Sequence, residues 1–161
     1  MSKLTPRLLM ALTGLACAAS VGAALVAQHH FKMEPCPWCI LQRMLFLTIA
    51  ALALLASLVP TLARRALSGL AVPFAIGGIA AALWQHFVAA KSTSCALTPA
   101  DRFIVWTGLD VRWPDIFEVR GSCADGAVNV LGVPFEFWSL ALFALAGAVA
   151  LYSARAADRR A

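Results

Sequence analysis

Four long apolar segments dominate the pattern of hydrophobic and polar positions along the chain. They cover residues of about 8–27, 40–59, 66–88 and 134–152, and each carries at most one charged residue. At a rise of about 1.5 Å per residue, about 20 helical residues cross the roughly 30 Å hydrocarbon core of a bilayer. The pattern therefore predicts an all-α membrane protein: a bundle of four transmembrane helices forming a single integral membrane domain over residues 1–161.

The first apolar segment follows Lys3 and Arg7, as the hydrophobic region of a signal peptide would. A secretory hydrophobic region is only about 7–15 residues long, and no clean A-x-A cleavage site follows this one. We interpret it as a retained span, with a cleaved signal as the alternative. Gly14, Ala18 and Gly22 recur at every fourth position of this span. Small residues let helices approach closely in lipid, so we expect this stripe to lie in a helix contact.

Composition and charge place the protein in the membrane. Hydrophobic residues make up 61% of the chain and charged residues 13%, whereas soluble domains have about 45–50% and about 25%. This excludes a soluble domain and a disordered chain. The net charge is +5. In so apolar a chain we expect this positive excess to reflect orientation in a membrane, with the lipid bilayer rather than nucleic acid as the partner.

The distribution of positive charge predicts the orientation. Seven Lys and Arg residues, against the single acid Asp158, lie at the termini and in the loop before the third span: Lys3, Arg7, Arg64, Arg65, Arg155, Arg159 and Arg160. The positive-inside rule makes this side cytoplasmic, with both termini there. The loops of about 28–39 and 89–133 are then periplasmic.

The second periplasmic loop is long and rich in aromatic residues. Apolar residues recur in it at near-helical spacing: Phe103, Trp106, Leu109, Trp113, Ile116 and Phe117. Gly108 and Pro114 interrupt the pattern, which predicts short helical segments lying on the membrane surface.

Four of the five cysteines fall in the periplasmic loops, and Cys17 falls within the first span. A lone cysteine in an apolar helix behaves as a small hydrophobic residue, so we expect a structural role for Cys17. In an oxidising compartment thiols pair. Four cysteines allow three pairings, and the spacings favour one: Cys36 and Cys39 form a C-x-x-C, and Cys95 and Cys123 lie 28 residues apart. A disulfide between the latter two could be a purely structural staple.

The C-x-x-C lies where the second span begins, with Pro37 suited to the first helical turn. A thiolate there is stabilised by the helix dipole and by unpaired N–H groups, which makes it a usable nucleophile and leaving group. Arg43 lies four residues after Cys39, one turn along the same helix face, where it can stabilise an anion. The alternative is that Arg43 extends outward to the membrane surface.

His86 lies about one turn before the outer end of the third span, at the predicted depth of Arg43. Gly78 and Ala82 lie beneath it at four-residue spacing, which we expect to leave room for a lipid-soluble ring with carbonyl oxygens. A plain interfacial histidine is the alternative. We expect His29 and His30 to be solvated loop residues.

Zinc is the main rival explanation for four cysteines, because four thiolates can form a structural zinc site. Its usual signature pairs two C-x-x-C motifs, and this chain has only one. We therefore predict no metal site. Thiol–disulfide exchange needs a second redox centre to remove the electrons, and no haem, flavin or iron–sulfur motif is present. A membrane quinone beside Cys39 and Arg43 would fill that role.

These residues together resemble the DsbB family of bacterial inner-membrane disulfide bond formation proteins, over essentially the whole chain. The resemblance is carried by Pro35-Cys36-Pro37-Trp38-Cys39-Ile40-Leu41-Gln42-Arg43, Gln85-His86, Ser94-Cys95, Gly121-Ser122-Cys123-Ala124, Leu131-Gly132 and Pro134. It implies an enzyme that oxidises DsbA, a periplasmic thioredoxin-fold dithiol oxidase. The electrons would pass to ubiquinone, or to menaquinone when oxygen is absent.

The resemblance also implies roles for single residues. Cys95 would form the mixed disulfide with the partner, and Cys123 would exchange with Cys36. Cys39 would form a charge-transfer complex or a transient adduct with the quinone, with Arg43 and His86 at the quinone head. Gln42 stands where some members carry an acid, which could alter proton delivery.

Two other functions remain open on the sequence. One is a four-span protein stabilised by two disulfides without enzymatic activity. The other is a different quinone-linked thiol oxidoreductase, similar to vitamin K epoxide reductase, although the active C-x-x-C of that family lies late in the chain and here it begins the second span.

Overall fold

The structure is a computed structural model that describes residues 5–91, 97–122 and 129–156. Four of its helices are long and apolar enough to cross a membrane. They are α1 (Pro6–Phe31), α2 (Pro37–Leu58), α3 (Thr61–Phe87) and α7 (Phe135–Arg155). A 3-10 turn (Ala89–Lys91), three short helices and a small hairpin lie between α3 and α7: α4 (Pro99–Thr107), α5 (Leu109–Arg112), α6 (Pro114–Phe117), β1 (Asn129–Val130) and β2 (Val133–Pro134). The predicted four-helix membrane bundle is confirmed.

The bundle is held by three extensive helix pairs. α2 packs against α1 and α3, α3 packs against α7, and a smaller contact between α1 and α7 closes the ring. The main core lies where the four helices meet, and there the rings of Phe46 and Phe143 stack with centroids 3.8 Å apart. Cys17 is fully buried in the same cluster, which confirms its place as a small core residue.

The connection between α1 and α2 is shorter than the sequence predicted. The side-chain oxygen of Thr5 accepts a hydrogen bond from the Leu8 N–H at the start of α1, and α1 continues to Phe31. Lys32 then adopts a left-handed conformation with φ 55° and donates its N–H to Ala27. His29 and His30 therefore lie in the last turn of α1, so the prediction of loop positions for them is wrong. The αL residue that ends the helix comes only after them.

The small-residue stripe of α1 lies only partly in a helix contact. Gly14 is buried, and a Cβ there would meet Leu54 of α2 at 2.7 Å, but Ala18 and Gly22 are exposed. Four residues turn an α-helix through about 400°, so every fourth position drifts about 40° around the axis. The buried face instead follows Gly14, Cys17 and Val21, at spacings of three and four residues. The expected stripe is therefore wrong beyond Gly14.

Arg64 was expected in a charged cytoplasmic loop, yet it is fully buried at the start of α3. Its Nη1 donates to the carbonyl of Ser153 at 2.7 Å and its Nη2 to the carbonyl of Ala156 at 2.8 Å. Arg65 donates its Nε to the carbonyl of Ala154 at 2.8 Å. These acceptors lie at the end of α7, where helix carbonyls lack partners within the helix and carry partial negative charge. The two arginines thus join the beginning of α3 to the end of α7.

The short helices of the second loop are separated at the two residues that the sequence indicated. Thr98 and Asp101 form a capping box at the start of α4. Gly108, with φ 63°, ends that helix, and Pro114 begins α6. Helical segments interrupted at Gly108 and Pro114 are therefore confirmed.

The contact between α3 and α7 yields a prediction at Gly78, because a Cβ on this buried glycine would overlap the ring of Phe143. We expect Gly78→Ala to lower the unfolding free energy by about 1–2 kcal/mol, since overpacking a filled core forces side chains out of their rotamers. SDS titration of the purified protein in detergent, followed by circular dichroism, measures this change.

Gly77→Ala is the matched control, because a Cβ on the neighbouring, exposed Gly77 has no atom within 4 Å. This substitution should leave the stability unchanged or raise it by up to about 1 kcal/mol. Equal effects of the two substitutions would contradict a packing contact that is specific to Gly78.

Candidate functional site

The C-x-x-C forms the first turn of α2. Cys36 is the N-cap residue, and its Sγ accepts a hydrogen bond from the Cys39 backbone N–H at 3.3 Å. Pro37 occupies the first helical position, as predicted. The two sulfur atoms lie 2.7 Å apart. Cys36 is fully buried, while Cys39 is partly exposed. Of the two thiols, Cys39 is therefore the more accessible.

Cys39 opens into a cavity of about 720 Å³ within the bundle. Its polar lining includes Cys39, Gln42, Arg43 and Gln85. The other walls are mostly apolar and include side chains of α1, α2 and α7, chiefly Val21, Ala24, Ala27, Phe46, Trp138 and Leu142. Residues Asn129 and Val130 of the hairpin also line it, and Trp138 donates its Nε1–H to the carbonyl of Val130 at 3.3 Å. A mostly apolar cavity with a few convergent polar groups is typical of a small-molecule site.

Arg43 reaches inward into this site. It is only 6% exposed, and its Nη1 donates to Gln28 Oε1 at 2.7 Å and to the carbonyl of Ile116 at 3.0 Å. Gln28 in turn donates its Nε2 to the carbonyl of Asp115 at 3.3 Å. Arg43 therefore does not extend to the membrane surface. Both of these acceptors are neutral, which leaves its positive charge available to an anion or a carbonyl oxygen in the cavity.

Two glutamines connect Cys39 to the neighbouring helix. Gln85 of α3 donates its Nε2 to the Sγ of Cys39 at 3.3 Å, and Gln42 donates its Nε2 to Gln85 Oε1 at 2.6 Å. The sequence prediction did not include Gln85 or Gln28 among the site residues. A signal for Gln85 was present, because a polar side chain within an apolar span is rare and usually marks a functional interior. Gln28 carried no such signal, because it was predicted to lie in the loop of about 28–39.

His86 faces away from this cavity. Its Nδ1 lies 2.7 Å from Oε1 of Glu136, a carboxylate that is only 3% exposed at the start of α7. The room expected beside Gly78 and Ala82 is not empty, because the ring of Phe143 packs against Gly78. That expectation is wrong: α7 fills the groove that the small residues of α3 leave open.

A segment of the second loop lies against the residues directly before the C-x-x-C. The backbone N–H groups of Arg120 and Gly121 both donate to the carbonyl of Pro35, at 3.1 and 3.2 Å. A Cβ on Gly121 would lie 3.1 Å from atoms of Glu34, so these two segments of the chain are in close contact. Cys95 and Cys123, the other two predicted site cysteines, lie outside the described residues.

Within residues 5–91, 97–122 and 129–156, no group of three or more His, Cys, Asp or Glu side chains could hold a metal ion. A site formed by all four loop cysteines would include two that lie beyond this part of the chain.

Comparison with known proteins gives the family. The family model described as "Disulfide bond formation protein DsbB" matches residues 6–153. The chain is similar to "Disulfide bond formation protein B" of Nitrosomonas europaea, with 33% identity over 85% of this chain and 86% of the relative. It is also similar to "Disulfide bond formation protein B 1" of Pseudomonas putida, with 36% identity over 86% of this chain and 84% of the relative. With a family match over nearly its whole length and four helices that can span a membrane, the chain belongs to the DsbB family of disulfide bond formation proteins.

Proposed function

We propose that this protein forms disulfide bonds in the periplasm by oxidising a DsbA-type thioredoxin-fold dithiol protein and passing the two electrons to a membrane quinone. The observation that carries the proposal is the cavity that Cys39 and Arg43 line together. It lies directly beside a C-x-x-C, within a bundle whose outer surface is apolar. Ubiquinone is the acceptor in this proposal, and menaquinone is the alternative acceptor.

The first exchange takes electrons from the partner. In the proposed sequence, a thiolate of the reduced partner attacks Cys95 in the Cys95–Cys123 disulfide, and a mixed disulfide with Cys95 forms as the thiolate of Cys123 leaves. The second partner thiolate then resolves this mixed disulfide. The partner leaves oxidised, and Cys95 and Cys123 hold its two electrons.

The second exchange moves the electrons to the quinone side. The Cys123 thiolate attacks the Sγ of Cys36, the Cys36–Cys39 bond breaks, and Cys39 leaves as a thiolate. Cys95 then attacks Cys123, which restores the Cys95–Cys123 disulfide and leaves Cys36 and Cys39 reduced. Reoxidation of Cys36 and Cys39 to the disulfide passes two electrons and two protons to the quinone.

The contacts of Pro35 support an exchange between Cys123 and Cys36. Gly121 donates to the carbonyl of Pro35, the residue before Cys36. Cys123 follows Gly121 by two positions, and two extended residues span at most about 7 Å. The reach of the chain is therefore compatible with attack on Cys36.

The residues around the cavity fit a quinone. The apolar walls suit a lipid-soluble ring, and Arg43 has further N–H groups that can donate to a ring carbonyl oxygen. A bound quinone supplies an acceptor for two electrons and two protons. Cys39 offers its sulfur to the same cavity, and the positive charge of Arg43 acts on both cysteine sulfurs.

In this proposal His86 handles protons at the edge of the site. Its partner Glu136 is next in the chain to Phe135, a residue that lines the cavity. An imidazole and a carboxylate in contact can pass a proton between them. We propose no direct contact between His86 and the quinone while the histidine is paired with Glu136.

The proposed orientation places the C-x-x-C and the second loop in the periplasm and both termini in the cytoplasm, in the bacterial inner membrane. It rests on the excess of Lys and Arg at the termini and before α3. The contacts of Arg64 and Arg65 with the end of α7 support a common side for these charges.

The decisive experiment measures quinone reduction. The purified protein in detergent receives ubiquinone-1 and a reduced DsbA-type protein, and the ultraviolet absorbance of the quinone is followed. We expect turnover in the unmodified protein and its loss in Cys36→Ser, Cys39→Ser, Cys95→Ser and Cys123→Ser, because each removes one sulfur of the relay.

Cys17→Ser is the matched control, because Cys17 lies in the core and does not itself line the cavity, and it should retain turnover. Full activity in any of the four other variants would contradict the relay. No turnover in a folded, unmodified protein supplied with quinone would favour a disulfide-stapled membrane protein or another partner.

Arg43→Lys tests the quinone side of the site. A lysine ammonium lacks the planar fork of arginine and reaches less far, so it cannot hold Gln28, Ile116 and a ring oxygen together. We expect the KM for quinone to rise about tenfold and the KM for the partner to change by less than about twofold. Steady-state kinetics with each substrate varied in turn measures both, and equal effects would contradict a role for Arg43 in quinone binding.

A further inference from the structure

A pair of buried glutamines connects α2 and α3 beside the reactive sulfur. Gln42 is 4% exposed and Gln85 is 2% exposed. Burying amides in an apolar bundle is costly unless their donors and acceptors are matched. Here the match includes a cysteine: Gln85 Nε2 lies 3.3 Å from the Sγ of Cys39, and Gln42 Nε2 lies 2.6 Å from Gln85 Oε1.

The chemistry of a thiolate determines which end of the Gln85 amide faces the sulfur. A thiolate accepts hydrogen bonds and cannot donate, so it requires the NH₂ group of Gln85. The carbonyl oxygen of Gln85 must then point the other way, where it needs a donor. The NH₂ group of Gln42 is that donor. The two glutamines thus form a chain of donors that ends at Cys39.

Two other N–H groups near the Cys39 sulfur donate to other acceptors. The backbone N–H of Cys39 donates to the Sγ of Cys36, and Nη1 of Arg43 donates to Gln28 and Ile116. The contact between the two sulfurs changes when Cys36 bonds to another cysteine. Within the part of the chain that the structure describes, Gln85 is then a side chain positioned to donate directly to Cys39.

On the basis of the proposed function, we propose that Gln85 is a catalytic residue that stabilises the Cys39 thiolate by donating a hydrogen bond to its sulfur. Gln42 is then a positioning residue, which keeps the amide of Gln85 in the donating orientation. The step concerned is the opening of the Cys36–Cys39 disulfide. The electron pair of the broken bond goes to Cys39, and the thiolate that forms is held until its electrons reach the quinone.

The arrangement has a functional consequence. A stabilised thiolate leaves faster in disulfide exchange, so Gln85 directs an incoming thiolate to Cys36 rather than to Cys39. Gln85 also lines the cavity, so the donor lies at the site where the proposed acceptor binds.

The test uses full-length protein in which Cys39 is the only cysteine, with Cys17, Cys36, Cys95 and Cys123 replaced by serine. Iodoacetamide reacts with the thiolate, so the rate of alkylation as a function of pH, measured by mass spectrometry in detergent, reports the ionisation of Cys39. With Gln85→Met we expect the half-maximal pH to rise by about one unit and the rate at pH values well below it to fall about tenfold, because a hydrogen bond to a charged group is lost.

The rates of the two proteins should converge at high pH, where Cys39 is fully ionised in both. Gln42→Leu should lower the alkylation rate in the same direction but by only about two- to fivefold. Gln85 remains in this variant, and only the hydrogen bond that fixes the orientation of its amide is lost. Thr48→Val is the matched control in the same helix: its hydroxyl donates to the carbonyl of Met44, and Thr48 does not line the cavity. This variant should keep the original profile.

Two outcomes would overturn the inference. An unchanged profile in Gln85→Met would show that the amide does not stabilise the thiolate. A parallel fall at every pH would show altered access to the sulfur rather than altered ionisation. The assay contains neither quinone nor partner, so its result is independent of the quinone-reduction experiment, and a failure of the proposed function would be seen there and not here.

Discussion

The constraint on which this structure depends is that a polar group inside a membrane bundle must find its partner within the protein, because the hydrocarbon region offers none. Several of the most buried polar side chains accordingly find their partners on a neighbouring helix. At one end, Arg64 joins α3 to the last turn of α7. At the other, Gln85 joins α3 to Gln42 and Cys39 of α2, and Arg43 joins α2 to Gln28 of α1. The polar contacts therefore fix the order of the helices at both ends.

Between these ends lies an apolar layer that carries the packing, with the stacked rings of Phe46 and Phe143 at its centre. Phe143 fits because Gly78 leaves room for its ring. Phe46 also forms part of the cavity wall. The core residue whose ring stacks on Phe143 of α7 therefore also bounds the site.

The site combines three kinds of chemistry at the start of one helix. Cys36 caps α2, which brings the two sulfurs together. Gln85 and Arg43 supply a hydrogen-bond donor and a positive charge from inside the bundle. Gly121 of the second loop donates its N–H to the carbonyl of Pro35, so this loop contacts the chain directly before Cys36. The burial of Cys36 and the exposure of Cys39 to the cavity are consistent with the proposed relay, in which the protein partner and the lipid-soluble acceptor react at different sulfurs.

The sequence by itself determined the four spans, the C-x-x-C at the start of α2 and the breaks at Gly108 and Pro114, because hydrophobic length, proline and glycine act locally. It also indicated Arg43, since a charge in an apolar span is rare. Only the tertiary structure decided which polar residues meet: Gln85 faces Cys39, whereas its neighbour His86 turns to Glu136. Adjacent residues on a helix point about 100° apart, so the rotation of α3 against α2 and α7 selects one of them for the cavity. That rotation is set by long-range packing, which spacing along the chain does not record.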